Sequence, residues 1–517
     1  MISLKINNIE ILVPKGSTLL KAAEKAGIAI PTMCYKESVP NHASCMVCAV
    51  KNNRSGEFLP SCEAKAQHGM DISADSPEVI EFRKDALELL LSDHVGDCEA
   101  PCRISCPAFM DIPQMNRLIA QGNFAQALEV VKEEIALPLI LGYICSAPCE
   151  NACRRKQMEG AVSICQLKKY VALEDPKTTN YYLPKKSLKR NKKTAVIGAG
   201  MAGLSAAFHL LKLGYSCTVF DQNTKAGGAL LHLTEADLPI DILVTEIEIL
   251  KQFGVVFSLN SKVDTEQIRG DFDAVILASG ENSKTNGIEF FEANYTTNQT
   301  GLFACGSVIR PIKMAVKVVA QGKHAANAVH SYLSGNVPQR QKQGFNSRFG
   351  KLKEEEIKVY LKESKLGERN KVTGGKNSGF NKEEAIAEAK RCLRCDCRKS
   401  NTCKLRKHAD EYNANQLTYK FGERKSIQKY FQQEILVYEP EKCIKCGLCI
   451  EIVQKNNNLS GLAYIGRGFD MHIAVPFDKS LQLAIADAAR DCINACPTAA
   501  LSDFYGKVQS KTLNHEI

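Results

Sequence analysis

The stretch SDHVGDCEAPCRISCP, Ser92 to Pro107, sets His94, Cys98, Cys102 and Cys106 at four-residue intervals ahead of a proline. Thiolates and an imidazole so spaced can bind zinc, close disulfides or hold iron–sulfur centres that pass electrons. All but three of the 22 cysteines fall into four groups, the exceptions being Cys217, Cys305 and Cys492. The opening MISLKINNIEILVPKGSTLL shows no basic, apolar and cleavage-site succession of a secretory leader. The expectation is therefore a cytoplasmic protein, in which grouped cysteines serve metal or redox chemistry rather than disulfides. The longest strongly apolar run, IALPLILGYI, holds a proline and falls far short of the roughly 20 residues a bilayer span needs, so no membrane span is expected. The formal charge of +10 counts every thiol as neutral. A four-thiolate cluster carries roughly two negative charges, so several would cancel most of that surplus, and no nucleic-acid partner is expected.

The chain is long enough for about three or four domains. Residues 1–78 open with alternating SLKINNIEILV, a half-buried strand pattern, and STLLKAAEKAG, a capped helix ended by glycine. Cys34, Cys45, Cys48 and Cys62 follow on loops. Two close thiols with one on either side can wrap a pair of irons; a zinc ribbon usually has two paired knuckles, and this has one. CYKESVPNHASCMVCAV with LPSC resembles the plant-type [2Fe-2S] domain of the complex I large subunit and of iron hydrogenases, which implies a β-grasp fold.

Residues 79–185 turn helical in period and carry a second group, Cys145, Cys149, Cys153 and Cys165. With His94 and the cysteines after it, that makes eight candidate ligands, the number two cubanes need. CPAFMDIP, ALPLILGYIC and PCENAC resemble the two-cluster domain of the glutamate synthase small subunit and of dihydropyrimidine dehydrogenase. The resemblance implies interleaved ligands: His94, Cys98, Cys102 and Cys153 for one [4Fe-4S] centre, and Cys106, Cys145 and Cys149 for the other. His94 stands where the family has cysteine, and a neutral ligand there should raise that centre's potential. Lys168 stands at the family's eighth-ligand position and cannot ligate while protonated. Cys165, one helical turn earlier, is the expected substitute.

Residues 190–335 begin with a strand running into Gly198, Gly200 and Gly203, a helix, and a second strand ending at Asp221. This order supplies a tight turn, a helix N-terminus for a pyrophosphate and an acid for a ribose. Gly227 and Gly228, then FDAVILASG and a closing segment through Gly306, resemble the FAD-binding halves of the same glutamate synthase lineage. That family places a nicotinamide domain between the halves; here only ENSKTNGIEFFEANYTTNQT lies there, too short to bury a core. FAD binding without the usual NAD(P)H domain is expected. Ser307 replaces the family's aspartate, while Cys305 and Cys217 are expected to be strand packing.

Residues 336–380 read as a basic, solvated linker or a segment that orders against a partner. In residues 381–412, Cys392, Cys395, Cys397 and Cys403 could hold one [4Fe-4S] cluster or one zinc. Residues 413–517 carry Cys443, Cys446 and Cys449 and complete a ferredoxin-type site with Cys496 of CPTAAL. Val453 stands where a second cluster would need a cysteine, which leaves Cys492 either spare or a competitor of Cys496.

The expected fold class is multidomain α+β and α/β: a β-grasp [2Fe-2S] domain, a helical two-cluster domain, a Rossmann-like FAD domain and a C-terminal ferredoxin-like domain. The cofactors expected are one [2Fe-2S], four [4Fe-4S] and FAD. No catalytic residue stands out. Relay centres with no terminal substrate site point to an electron-transfer subunit of a hetero-oligomeric oxidoreductase. Its expected partners are a catalytic subunit, of hydrogenase, formate dehydrogenase or aldehyde oxidoreductase type, and an NADH-binding flavoprotein subunit. The alternatives are a free-standing FAD-dependent reductase and a redox-sensing or scaffold protein.

Overall fold

In the computed structural model the described residues are 1–177, 180–281, 287–340, 343–375, 378–432, 435–457, 461–478, 480–485 and 488–504. The end of the expected C-terminal domain, 505–517, and short stretches near 284, 341 and 376 of the inter-half and linker segments lie outside them. The chain divides into two compact units.

The first comprises residues 1–99, 343–362 and 395–517. Its N-terminal sheet has five strands in the order Ile9–Val13, Ile2–Ile6, Asp71–Ser73, Ala49–Asn52, Phe58–Pro60. The hairpin registers Ile2 opposite Val13, and the period-two pattern turns Leu4, Ile6, Ile11 and Val13 inward. Helix Leu19–Lys25 covers this face, started by Thr18, whose Oγ1 accepts from the Lys21 amide at 3.3 Å. Helix Pro77–Asp93 follows, with Ser76 as its cap and proline in its first turn. Its buried Arg83 donates to the Ala49 carbonyl at 2.9 Å, which fixes the helix beside the cysteine-bearing loops, and its C-cap is His94 in extended conformation. The C-terminal part has a three-stranded sheet, Tyr430–Gln432, Leu436–Tyr438 and Leu501–Asp503, packed with helices Leu448–Asn457 and Ala489–Ala495 around Val453, Ile485 and Cys492.

The second unit comprises residues 100–342 and 363–394. Short helices, four of them begun near a proline, carry the cysteine-bearing turns of its first part: Pro101–Ser105, Ile112–Ala120, Phe124–Glu134, Pro138–Ile144, Pro148–Asn151 and Ile164–Glu174. Its sheet runs Phe290–Phe291, Thr296–Thr297, Leu302–Ala304, Ala274–Leu277, Lys193–Ile197, Ser216–Phe220, Val256–Ser258. The last five strands are parallel, a doubly wound order with its switch point at Lys193–Ile197. Helices Met201–Lys212 and Ala315–Leu333 touch closely. A side chain at Gly322 would start 2.3 Å from the Ala202 carbonyl, and Ser205 Oγ donates to the Val319 carbonyl at 2.7 Å.

The basic segment 336–380 departs from the expected solvated linker. Ser347, Phe349, Glu356 and Tyr360 are buried in the first unit, and Arg424 is paired with Glu356 by both guanidinium nitrogens. In the second unit the Asn370 amide donates to Glu388 at 2.8 Å and Arg369 pairs with Glu150 at 2.6 Å. Buried acidic side chains elsewhere in the chain satisfy this segment's amides and cations, and composition alone does not reveal such partners. No described helix is long and apolar enough to cross a membrane.

Candidate iron–sulfur and flavin sites

In the first unit, Cys34, Cys45, Cys48 and Cys62 are all buried, with Cys34 and Cys45 Sγ 3.4 Å apart and Cys48 and Cys62 Sγ 3.3 Å apart. Hydrogen bonds from Cys45 and Cys62 hold the Cys34 thiol far below its ordinary range, and the same contacts push Cys62 far up. Four thiols sharing protons this way form a ready-made polythiolate seat.

Cys443, Cys446, Cys449 and Cys496 line one apolar cavity with Tyr438 and Leu462. The Lys445 amide donates to Cys443 Sγ at 3.3 Å and the Leu501 amide to Cys496 Sγ at 3.4 Å. Cys492 is fully buried in the adjoining core, its Sγ 3.8 Å from the Cys449 carbonyl. Cys34, Cys45, Cys403 and Cys446 belong to one packed cluster with Leu87, Leu405 and Leu448.

In the second unit Cys106, Cys145, Cys149 and Cys165 line a single cavity together with Lys168 and Met110. Cys165 bonds to Cys145, which lowers the Cys145 thiol to about 5. Lys168 is buried and donates to the Leu141 carbonyl at 3.0 Å. Burial alone would lower it, but the Cys165, Cys145, Cys149 and Cys106 sulfurs outweigh that and hold the ammonium above the ordinary lysine range. Lys168 is thus a cation facing the thiols, in a place where sequence reasoning identified only a lost ligand.

Within the second unit Cys392 lies near Cys153, and within the first unit Cys397 and Cys403 lie near Cys98. Cys102 stands on helix Pro101–Ser105 against the helix that precedes Cys153.

Sequence reasoning also missed a backbone signature. Among the described residues, half of the non-glycine residues with left-handed backbone flank candidate thiols: Ala43, Met46, Phe109, Ala147, Arg394 and Lys445. Such strain concentrates where structure over-determines a loop for function, and nothing in these residue types announces it.

At the Rossmann-like sheet, a cavity of about 600 Å³ is lined by Gly198, Gly200, Asp221, Gly227, Gly228 and Ser307, among others. Gly198 has φ +110°, and a side chain there would start 2.4 Å from the Ala278 carbonyl. A side chain at Gly203 would start 1.9 Å from the Gly198 carbonyl, so this glycine keeps the helix close to the turn. Gly200 meets nothing, so its bare Cα leaves room for a ligand's backbone approach. Asp221 accepts from the Ala199 amide at 2.7 Å and from the Asn223 amide at 2.8 Å. Gly306 has φ +79° and donates to Gln321 at 2.8 Å. Cys217 is a buried strand residue and Cys305 is buried just after strand Leu302–Ala304, both pushed up to about 12 by burial. The glycine-lined cavity and its helix N-terminus fit a dinucleotide such as FAD, and the thiol-lined seats fit iron–sulfur clusters.

Three family profiles match. One described as "2Fe-2S iron-sulfur cluster binding domain" covers residues 1–77, "Dihydroprymidine dehydrogenase domain II, 4Fe-4S cluster" covers 93–179, and "NAD(P)-binding Rossmann-like domain" covers 196–245. The chain joins a 2Fe-2S domain, a helical 4Fe-4S domain and a Rossmann-like domain. It is 36% identical over 207 residues to the NADP(+)-dependent formate dehydrogenase subunit beta of Moorella thermoacetica, covering 35% of this chain and 29% of that one. It is 32% identical over 236 residues to the NADPH-Fe(3+) oxidoreductase subunit beta of Geobacter sulfurreducens, 43% of this chain and 35% of that one. A further relative is the glutamate synthase [NADPH] small chain of Bacillus subtilis, 32% identical over 200 residues, 36% of this chain and 40% of the relative. The chain thus spans well under half the length of each. Among solved structures, a chain of an NAD+-reducing [NiFe]-hydrogenase is 31% identical over 18% of this chain and 39% of its own, with a TM-score of 0.17.

Proposed function

We propose that this chain is an electron-transfer iron–sulfur flavoprotein subunit of a larger oxidoreductase, relaying electrons between a catalytic subunit and an NAD(P)H- or ferredoxin-linked partner. The observation that carries this reading is the shared packing of Cys34, Cys45, Cys403 and Cys446, which sets three groups of thiols against one another within one core. Thiols that held isolated structural zinc would have no need to abut. Held at these seats, the clusters supply one-electron steps and the flavin couples them to electron pairs.

The residues assigned to [2Fe-2S] are Cys34, Cys45, Cys48 and Cys62. Cys443, Cys446, Cys449 and Cys496 hold one [4Fe-4S] centre, and Cys106, Cys145, Cys149 and Cys165 a second. His94, Cys98, Cys102, Cys153, Cys392, Cys395, Cys397 and Cys403 remain for two more. Gly198, Gly200, Gly203, Asp221, Gly227, Gly228 and Gly306 cradle FAD, and Ser307 faces the same cavity. The relatives named as beta subunits of a formate dehydrogenase and of an NADPH-Fe(3+) oxidoreductase support a subunit role. The short connection through strands Phe290–Phe291 and Thr296–Thr297 supports a chain that receives electrons from a partner rather than from its own nicotinamide domain.

An anaerobic pull-down tests this, followed by mixing with NADH or NADPH. The expected result is co-purification of at least one redox subunit and no bleaching of the isolated chain by either nucleotide. Prompt bleaching of the isolated chain contradicts the reading.

A further inference from the structure

Resting on the relay reading above, we propose that His94, Cys98, Cys397 and Cys403 form one ligand set: a histidine-and-three-cysteine [4Fe-4S] centre assembled from two segments distant in sequence. It replaces the self-contained site expected at Cys392–Cys403.

The two segments are bonded together through the backbone of the cysteines themselves. The Cys397 amide donates to the Cys98 carbonyl at 3.2 Å. Arg406 bridges from the other side, its guanidinium 2.7 Å from Glu99 and 3.1 Å from the Ser400 carbonyl, while its amide donates to Cys403 Sγ at 3.5 Å. Cys403 caps helix Lys404–Glu411, so its sulfur sits at a helix N-terminus, where negative charge is favoured. Cys98 feels the charge of both Cys397 and Cys403.

His94 is prepared for the fourth place. Its Nδ1 lies 3.3 Å from the Lys442 carbonyl. That carbonyl can only accept, so the hydrogen bond places the ring proton on Nδ1 and leaves Nε2 as the lone-pair nitrogen. Ligating histidines are commonly held in this way. The ring is half-buried. Lys442 also lies near Cys397, and its stem passes Gly96, where a side chain would start 2.9 Å from Lys442 Cε. His94 and Cys397 therefore flank one lysine, whose stem packs against Gly96 between His94 and Cys98 in the chain. Lys442 Nζ is itself paired with Glu439 at 2.6 Å, and Arg406 with Glu99, so neither cation leaves its charge uncompensated.

The set adjoins the ferredoxin-type site. Cys403 senses the charge of Cys496, Lys399 Nζ donates to the Cys496 carbonyl at 2.7 Å, and the Lys442 that binds His94 immediately precedes Cys443. A neutral imidazole in place of one thiolate makes the centre less negative, and so easier to reduce than its all-cysteine neighbour.

The test uses the full-length, anaerobically reconstituted chain with 15N-histidine, reduced and examined by pulsed EPR alongside iron counts. The expected result is one reduced centre with histidine-nitrogen coupling. That signal is lost in Cys98→Ser, Cys397→Ser and Cys403→Ser and kept in Cys392→Ser and Cys153→Ser. His94→Cys should keep its iron, lose the nitrogen coupling and shift that centre's midpoint potential downward, which guards against loss through misfolding. Nitrogen coupling that survives Cys397→Ser but vanishes in Cys392→Ser overturns the proposal, as does its absence from an iron-replete wild type. Both of those results leave the relay reading standing, whereas an iron-free reconstituted chain removes the relay reading itself.

Discussion

The cavity of Cys106, Cys145, Cys149 and Cys165 and the set of His94, Cys98, Cys397 and Cys403 face the same electrostatic problem, the crowding of several sulfurs in a buried place. In the first, four thiols are answered by a buried ammonium, Lys168, whose strongest charged neighbours are those thiols. In the second, the nearby cations are already neutralised, Lys442 by Glu439 and Arg406 by Glu99, and one thiol is exchanged for an imidazole. Either route removes about one unit of negative charge from the site. The difference teaches that a departure from a ligand pattern is read best together with the charges around it. Lys168 looks like a lost ligand and His94 like a substituted one, yet both change charge in the same direction.

The largest effect is expected from Cys149→Ser, which breaks the four-thiol cavity outright. It should cost the chain roughly four irons and one EPR-active centre. Retention of full iron would remove this cavity from the account. Next, Lys168→Met should leave iron bound but lower that centre's reduction potential. The shift should be about 2 kcal/mol per electron, roughly 0.1 V, for one buried charge at an effective dielectric of about 20. A redox titration that finds no shift would mean the ammonium is not the compensating charge.

Buried carboxylates sharpen the same contrast. Glu439 keeps its charge because Lys442 faces it, whereas burial pushes Glu246 up to about 7 from 4.5, although its Oε2 accepts the Ile140 amide at 3.0 Å. Between those two values the folded chain holds a proton that the unfolded chain releases, so this contribution to stability is full below about 4.5 and lost as pH rises through 7. The loss is on the order of 3 kcal/mol. Glu246→Gln should flatten that slope in denaturation curves taken from pH 5 to 8. The smallest effect is expected from Cys492→Ala, which removes a buried sulfur outside the cavity of Cys443, Cys446, Cys449 and Cys496. It should cost about 1 kcal/mol of stability and no iron.

Much of this was legible in the sequence because it is local. Alternation in SLKINNIEILV gives the first hairpin, and the glycine spacing after the strand at Val196 gives the Rossmann-like turn. Cys165 was found by its helical offset from Lys168, and the two line one cavity. What stayed hidden is non-local. The bond between Cys397 and Cys98 joins residues far apart in sequence. The anchoring role of Lys442 is visible only once its carbonyl meets His94 and its stem meets Gly96. The basic segment around Ser347 and Phe349 read as solvated because its buried partners, Asp97 and Cys98, lie far away in sequence.

The central claim is that these thiols hold iron–sulfur centres near enough to exchange electrons. The most direct test is a low-temperature EPR redox titration of the anaerobically purified full chain, with iron, sulfide and zinc counted on the same sample. The account predicts abundant iron and sulfide, little zinc, and several reduced centres whose signals broaden or split one another as neighbouring centres fill. A zinc-loaded, EPR-silent chain would contradict it, and so would iron centres that titrate with no sign of magnetic interaction.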